Sequence, residues 1–389
     1  MVFSRNLKIL RWHSFFIDFN LWGPLAIIYF SKVSGSYTLG LSIFSIQMLS
    51  SAAFELPTGF ISDKYGRTKT LIFGSLSFFI GAILYAIGSN YWFLVAGAIV
   101  QGLGRAFYSG NNDALLYDYL ASDNKIDKFE EYNGKIGSMS QLACAISAAL
   151  SFLIAFFPMS FLLWVSVGSQ LICLILGFKL DKVETIDHES GNIFIHIKQA
   201  LKNFISNFKL RLISLSDIIG FGLSESSYQF RAAFIATLWP SWAIGIASVL
   251  SSLGASISFH FSGKILKKIS AINILITNFF ISKIINLTSL LFPTILSPVI
   301  MTSTSLFYGV GEVSKNKLLQ NEFTNSQRAT MGSLNSLAGS IFFGFFAILL
   351  GMFADNYGPR IALLISTILG FVNLFFYLSF KKIVENESK

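Results

Sequence analysis

Long apolar runs recur along the whole chain, most of them about 20 residues, which is the length an α-helix needs to cross the hydrocarbon core of a bilayer. About twelve can be counted. They lie near 10–31, 38–61, 70–89, 91–120, 135–157 and 160–179, then near 212–236, 240–262, 271–292, 298–320, 328–353 and 360–380. A water-soluble fold cannot absorb them. Of 389 residues, 53% are hydrophobic and only 13% charged, with a mean hydropathy of +0.63, more apolar surface than a globular core of that size can hide. In lipid every backbone polar group must find its partner inside the chain, and runs of this length do so as helices. The expected fold is all-α, with 12 transmembrane helices.

The net charge of +9 raises the question of a nucleic-acid partner. The basic residues form no basic domain; they sit in short connections, as the positive-inside bias of a multi-span protein requires. With the N-terminus in the cytosol, the inner segments hold Arg5, Lys8, Arg11, Lys64, Arg67, Lys69, Lys179, Lys182, Lys264, Lys267, Lys268, Lys381 and Lys382, among others. The outer connections hold only Lys32 and Arg360. The expected topology is multi-pass with both termini cytoplasmic, in a bacterial inner (plasma) membrane, with lipid and not nucleic acid as the surrounding partner. The first apolar run is too long for a signal-peptide core and lacks a small-residue cleavage site, so it reads as a retained helix.

A polar stretch over 181–211 divides the chain into an N-terminal six-helix bundle, 1–180, and a C-terminal one, 212–389. Within the stretch, Ile193, Ile197, Leu201, Phe204 and Phe208 recur at helical spacing, with Lys198 and Lys202 on other faces. That pattern predicts an amphipathic helix on the inner leaflet.

Charges deep in a span cost several kcal/mol, roughly 2.5–3.5 on insertion scales, and a few runs carry them. Asp18 lies in span one, Arg105 in span four, Glu225 and Arg231 in span seven, Glu312 and Lys315 in span ten. In span four, Gln101, Arg105, Tyr108 and Asn112 follow i, i+4, i+7, i+11 and are expected to share a face. In span seven, Ser224, Ser227 and Arg231 share one face, Glu225 and Tyr228 an adjacent one. Tyr308, Glu312, Lys315 and Asn316 fall within two turns of span ten. A carboxylate in a low dielectric can exchange a proton near neutral pH, which makes Asp18, Glu225 and Glu312 candidate proton carriers; an arginine keeps its charge. The alternative is that these charges pair only to hold a bundle together. Lys283, deep in span nine, fits neither role; snorkelling or a contact with span seven or eight would account for it.

The connection between spans two and three reads Glu55-Leu-Pro-Thr-Gly59-Phe-Ile-Ser-Asp63-Lys-Tyr-Gly66-Arg67-Thr-Lys69-Thr70. Gly59 removes a side chain where a helix end can touch a neighbour. Asp63 and Arg67 stand four apart, a spacing at which opposite charges pair. Gly66 permits a tight turn. The order Gly, three residues, Asp, two residues, Gly-Arg and then a basic residue resembles the loop between helices two and three of the major facilitator superfamily, a large family of secondary transporters. Gln101–Asp118 and Arg328–Ser333 resemble further segments of its bacterial twelve-span members, many of them exporters of drugs or metabolites. The Gly351, Asp355, Gly358 spacing repeats the loop, by count on the opposite side, as inverted repeats require.

The resemblance implies two six-helix bundles working by alternating access, a midplane cavity lined by spans one, four, seven and ten, and a gating and bracing role for the 59–69 loop. It implies proton-coupled efflux of a small organic solute by a monomer, with the proton gradient as energy source and no cofactor or metal. Uptake of a nutrient or siderophore-like metabolite is the alternative. A membrane sensor that does not transport, or a lipid flippase, is an alternative of another class. The chain departs from drug–proton antiporters of the superfamily in two places: span five lacks their Gly-Pro-rich signature, and Ala98 stands where many carry arginine. No phosphate loop, catalytic triad or metal-ligand spacing is present in the sequence, His13, His188, His196 and His260 included, so an enzyme is not expected.

Overall fold

The computed structural model describes residues 2–109, 111–182, 198, 202–323 and 328–387, without the side chains of 2–4, Leu56, Asp63, Glu130, Arg328 and Ala329. Most of the 181–211 amphipathic stretch and the side chain of Asp63 therefore lie outside the described residues. The chain forms two compact units, Met1–His188 with Ser241–Gly245, and Glu189–Pro240 with Ile246–Lys389.

The first unit contains α1 (Val2–Asp18), α2 (Ala26–Ser34), α3 (Tyr37–Tyr65), α4 (Arg67–Ile87), α5 (Tyr91–Tyr108), α6 (Asn111–Ser122), α7 (Phe129–Leu150) and α8 (Met159–Phe178). Starts follow local chemistry. Ser36 accepts a hydrogen bond from the amide of Leu39 at the head of α3, and Asn90 accepts from Trp92 and Phe93 at the head of α5, side-chain caps for otherwise orphaned amides. α3 ends at Gly66, whose φ of 86° and ψ of 153° belong to a region that is essentially glycine's alone.

The second unit contains α9 (Phe208–Ile235), α10 (Ile244–Leu266) from Ile246 onward, α11 (Ala271–Leu291), α12 (Ser297–Thr302), α13 (Ser305–Glu322), α14 (Arg328–Leu369) and α15 (Val372–Glu387). Asn207 caps α9 through the amide of Leu210. α14 is broken at Gly358 (φ 82°, ψ 163°), followed by Pro359, so it comprises two of the expected spans.

Both units keep an apolar core and also turn large apolar side chains outward. Large apolar side chains in helix interiors stand exposed: Trp164, Ile284, Ile341, Phe345 and Phe375 are each more than half exposed. Small and hydroxylated residues are inside, with Ser45, Ser75, Ser166 and Ser314 buried and bonded to the carbonyl four residues back, which satisfies a hydroxyl without a partner helix. Glycines allow close crossings: a Cβ on Gly102 of α5 would stand 2.6 Å from the carbonyl oxygen of Gln47 on α3, and one on Gly222 of α9 2.9 Å from the amide nitrogen of Phe343 on α14. Such approach is the means by which helices gain packing energy in lipid.

Among the described residues seven stretches are long and apolar enough to cross a membrane: Tyr37–Glu55, Arg67–Ile87, Ile126–Ala155, Met159–Phe178, Ser241–Leu266, Ala271–Leu291 and Thr330–Glu387. The expected spans left out are one, four, seven and ten, the set that carries the interior charges. Span one is also not the single helix expected over 10–31. It breaks between Asp18 and Gly23, where Asn20, Gly23 and Pro24 interrupt helical propensity. The freed backbone is satisfied from α7 and α8. Asn20 N donates to Ser147 Oγ (2.8 Å) and Leu21 N to Ser166 Oγ (3.2 Å). Ser169 Oγ donates to Phe16 O (2.7 Å), and Gln170 Nε2 to Ile17 O (2.9 Å). Irregular backbone at membrane depth survives only with such partners.

Candidate functional site

The densest charge cluster described lies in the second unit, between α9 and α13. Lys315 Nζ stands 2.8 Å from Glu312 Oε1, one turn back on its own helix, and 2.9 Å from Asp217 Oδ1 on α9. The lysine side chain is only 13% exposed. At that depth an unpaired ammonium would be untenable, and the two carboxylates supply the compensating charge. The three groups line a cavity of about 230 Å³ together with Phe221, Asn316, Leu319, Gln320, Phe323, Gly332, Asn335, Ser336 and Gly339. Leu319 and Phe323 belong to the packed core of the unit, which fixes one wall. On the opposite wall Asn335 Nδ2 donates to Ser214 Oγ (3.2 Å), leaving its carbonyl oxygen outside that bond. Tyr308, one turn before Glu312, lies within electrostatic reach of Glu312, Lys315, Glu225 and Tyr228.

Sequence reasoning named Glu312 and Lys315 but missed Asp217. A signal was present: Asp217 is an acidic residue inside the seventh apolar run. Glu225 does not line this cavity; its Oε1 accepts from Gln229 Nε2 of the same helix at 2.7 Å. Tyr228 is more than half exposed, and Arg231 makes no ion pair among the described residues. Ser227 faces α14, with its hydroxyl 2.7 Å from that of Ser366.

In the first unit Asp18 ends α1 at the helix break and accepts a hydrogen bond from Ser140 Oγ of α7. Arg105 lies within electrostatic reach of it. The ring of Tyr108 stacks on the buried His13, whose Nε2 is 2.8 Å from Ser75 Oγ. The expected stripe of Gln101, Arg105, Tyr108 and Asn112 does not form as one face. α5 ends at Tyr108, and Ser109 is extended (φ −60°, ψ 127°), so Asn112 belongs to α6 and a new helical phase. Gln101 turns to α4 and donates to the carbonyl of Phe78 at 3.1 Å.

The 59–69 connection is a clasp at one end of the first unit. Arg67 Nη1 stands 3.0 Å from Asp118 Oδ1, whose side chain is fully buried, and donates to Ala114 O at 2.6 Å. Asn111 Nδ2 donates to Arg67 O (3.0 Å), and Ser62 Oγ to Asn111 Oδ1 (2.9 Å). The described partner of Arg67 is thus Asp118, on α6, and not a residue of its own loop. A Cβ on Gly59 would meet nothing within 4 Å among the described residues. Lys69 and Lys64 both lie over the ring of Tyr65, at 6.0 and 5.3 Å from its centroid. The second copy of the loop repeats this geometry: Gly358 matches Gly66 in φ and ψ within about 10°, and Arg360 donates through Nε to Leu290 O (2.6 Å) and through Nη2 to Leu291 O (2.9 Å) at the end of α11. Lys283, left without a firm role by the sequence, donates to Thr367 O at 3.0 Å and lies over Phe279. It caps a carbonyl that the turn between α14 and α15 frees, since Phe371 N bonds to Ile368 O instead.

A family model described as Major Facilitator Superfamily matches residues 12–314. The chain belongs to the major facilitator superfamily. It is 27% identical over 330 residues to an uncharacterized transporter of Buchnera aphidicola subsp. Acyrthosiphon pisum (strain APS), covering 79% of each chain. It is 24% identical over 193 residues to a Na⁺, Li⁺, K⁺/H⁺ antiporter of Planococcus maritimus, covering 48% of this chain and 44% of that one. The crystal structure of the nucleoside transporter NupG matches with a TM-score of 0.81 at 13% identity, covering 98% of this chain and 100% of that one; this is a likeness of fold. This facilitator is therefore a multi-pass membrane protein of the secondary transporter type.

Proposed function

We propose that this facilitator exports a small organic solute across a bacterial inner membrane in exchange for protons, by alternating access, with both termini in the cytoplasm. The observation that carries the reading is the Asp217–Lys315–Glu312 cluster around a cavity in the second unit. A lysine held by two carboxylates is a proton-sensitive tie between helices. Asp217 is the carboxylate that reaches Lys315 from another helix, so a proton taken up there loosens the contact between α9 and α13, while one on Glu312 leaves that contact in place and changes only the charge beside it. Asp18, at a helix break in the first unit, offers a third carboxylate at the kind of discontinuity that forms transporter sites. The relative from Planococcus maritimus, named as a cation/proton antiporter, agrees with exchange. Gating is assigned to the 59–69 loop, where Arg67 joins the head of α4 to α6.

The test is uptake and efflux of a metabolite panel in proteoliposomes, with and without a pH gradient. The expected result is solute movement against its gradient when protons flow the other way, lost in the variants Asp217→Asn and Glu312→Gln. Proton-driven movement that survives both substitutions refutes the coupling, and movement with the proton gradient refutes the direction.

A further inference from the structure

The cavity of the second unit has a charge imbalance. Its charged lining is Asp217, Glu312 and Lys315: two carboxylates less one ammonium leave one negative charge. Lys315 spends its contacts on one oxygen of each carboxylate. The neutral polar lining, Asn316, Gln320, Asn335 and Ser336, offers oxygens that accept hydrogen bonds. Arg105 and Arg231, the cations that would hold an anionic cargo, do not line it. The rest of the wall is apolar, with the rings of Phe221 and Phe323 and the side chain of Leu319, and an aromatic face attracts a cation.

We propose that this cavity binds a monovalent organic ammonium with a compact apolar or aromatic body, its charged head against Asp217 and Glu312 beside Lys315 and its body against Phe221, Leu319 and Phe323. The proposal rests on the transport reading and names the class of its cargo. The bound ammonium brings the cavity to neutrality. An anion would face two carboxylates with a lysine already engaged, and a neutral solute would leave the extra carboxylate charge uncompensated. The cavity volume of about 230 Å³ limits the body to roughly one ring and a short chain, given that pockets for drug-sized ligands start near 300 Å³.

The test is equilibrium binding to the purified full-length protein in detergent. The probes are a graded series of primary ammoniums (butylammonium, phenylethylammonium, tryptammonium), each with its matched alcohol and carboxylate. The expected result is saturable binding of ammoniums at least tenfold tighter than of their matches. Asp217→Asn, which makes the lining neutral, lowers that binding tenfold or more. Asp217→Glu, which keeps the charge, retains it and serves as the control for folding. Lys315→Gln, which makes the lining doubly negative, tightens it. The proposal is overturned if no ammonium binds more tightly than its alcohol or carboxylate, if Asp217→Asn and Asp217→Glu bind alike, or if Na⁺ or K⁺ saturates the site and no ammonium competes. Ammonium binding without movement of any solute in proteoliposomes sinks the transport reading and leaves the cavity assignment standing. Transport of other solutes, with no ammonium bound, does the reverse.

Discussion

Replacing Gly66 by alanine isolates one physical term. Its φ of 86° and ψ of 153° are accessible to glycine, and an L-residue held there carries strain of about 1–3 kcal/mol. A Cβ at this position would meet nothing within 4 Å, so no packing term is added. With about 2–4 °C of Tm per kcal/mol for a unit of this size, the expected loss is roughly 2–12 °C. Gly168, in the interior of α8, has equally open surroundings but helical backbone. There the same substitution stabilises by roughly 0.4–1 kcal/mol, because alanine restricts the unfolded chain. Gly102 supplies the opposite limit: its Cβ would stand 2.6 Å from Gln47 O and 2.9 Å from Ser51 N, and two helix backbones must part. Asparagine separates the conformations further. At Gly35 (φ 85°, ψ −4°), a left-handed position that asparagine tolerates, Gly35→Asn is close to neutral; at Gly66 it costs as much as alanine. The assay is thermal unfolding of the purified variants in detergent, followed by tryptophan fluorescence. A Gly66→Ala protein that melts at or above Gly168→Ala would refute the assignment of the turn's stability to backbone conformation.

Arg67→Met removes the cation beside the fully buried carboxylate of Asp118 and is expected to cost about 3–5 kcal/mol; the double variant Arg67→Met/Asp118→Leu recovers much of it in denaturant titration. Lys209 hydrogen-bonds Glu387, and that contact raises its pKa above the usual lysine value. Its contribution is present in full below the ordinary lysine pKa of about 10.4 and is lost as pH rises through the raised value, so the Tm gap between wild type and Lys209→Met closes in strong alkali and also narrows in high salt. Glu312→Gln leaves Lys315 with Asp217 alone and is expected to abolish proton-driven solute movement in proteoliposomes while leaving passive exchange of the same solute measurable. Asn207→Ala removes the cap of α9 and costs about 1 kcal/mol in thermal unfolding.

What could be read without coordinates was whatever depends on chain order. Run lengths gave helices, and the costly charges singled out spans one, four, seven and ten, which are the ones that fall short of the apolar stretches in the structure. What could not be read was azimuth. A residue's helix and depth follow from its number, but which neighbour it faces depends on how that helix is rotated in the bundle. Apolar residues on every face leave periodicity with little to report. Gln101 therefore turned to α4, Arg67 found Asp118 across α6, and Lys315 found Asp217 on another helix. The breaks after Asp18 and Tyr108 were hidden for a related reason: hydropathy averages over a few unwound residues, and at the first break the serines that satisfy the freed amides are remote in sequence.

The interruption after Asp18 also restricts how the first unit can deform. Its loose amides and carbonyls are sewn to α7 and α8 by Ser147, Ser166, Ser169 and Gln170. Sliding α1 past either neighbour would tear several of these bonds at once, at about 1 kcal/mol apiece. α1 and the turn that follows it are thus tied to α7 and α8 together, and displacing them against either helix costs several hydrogen bonds at once.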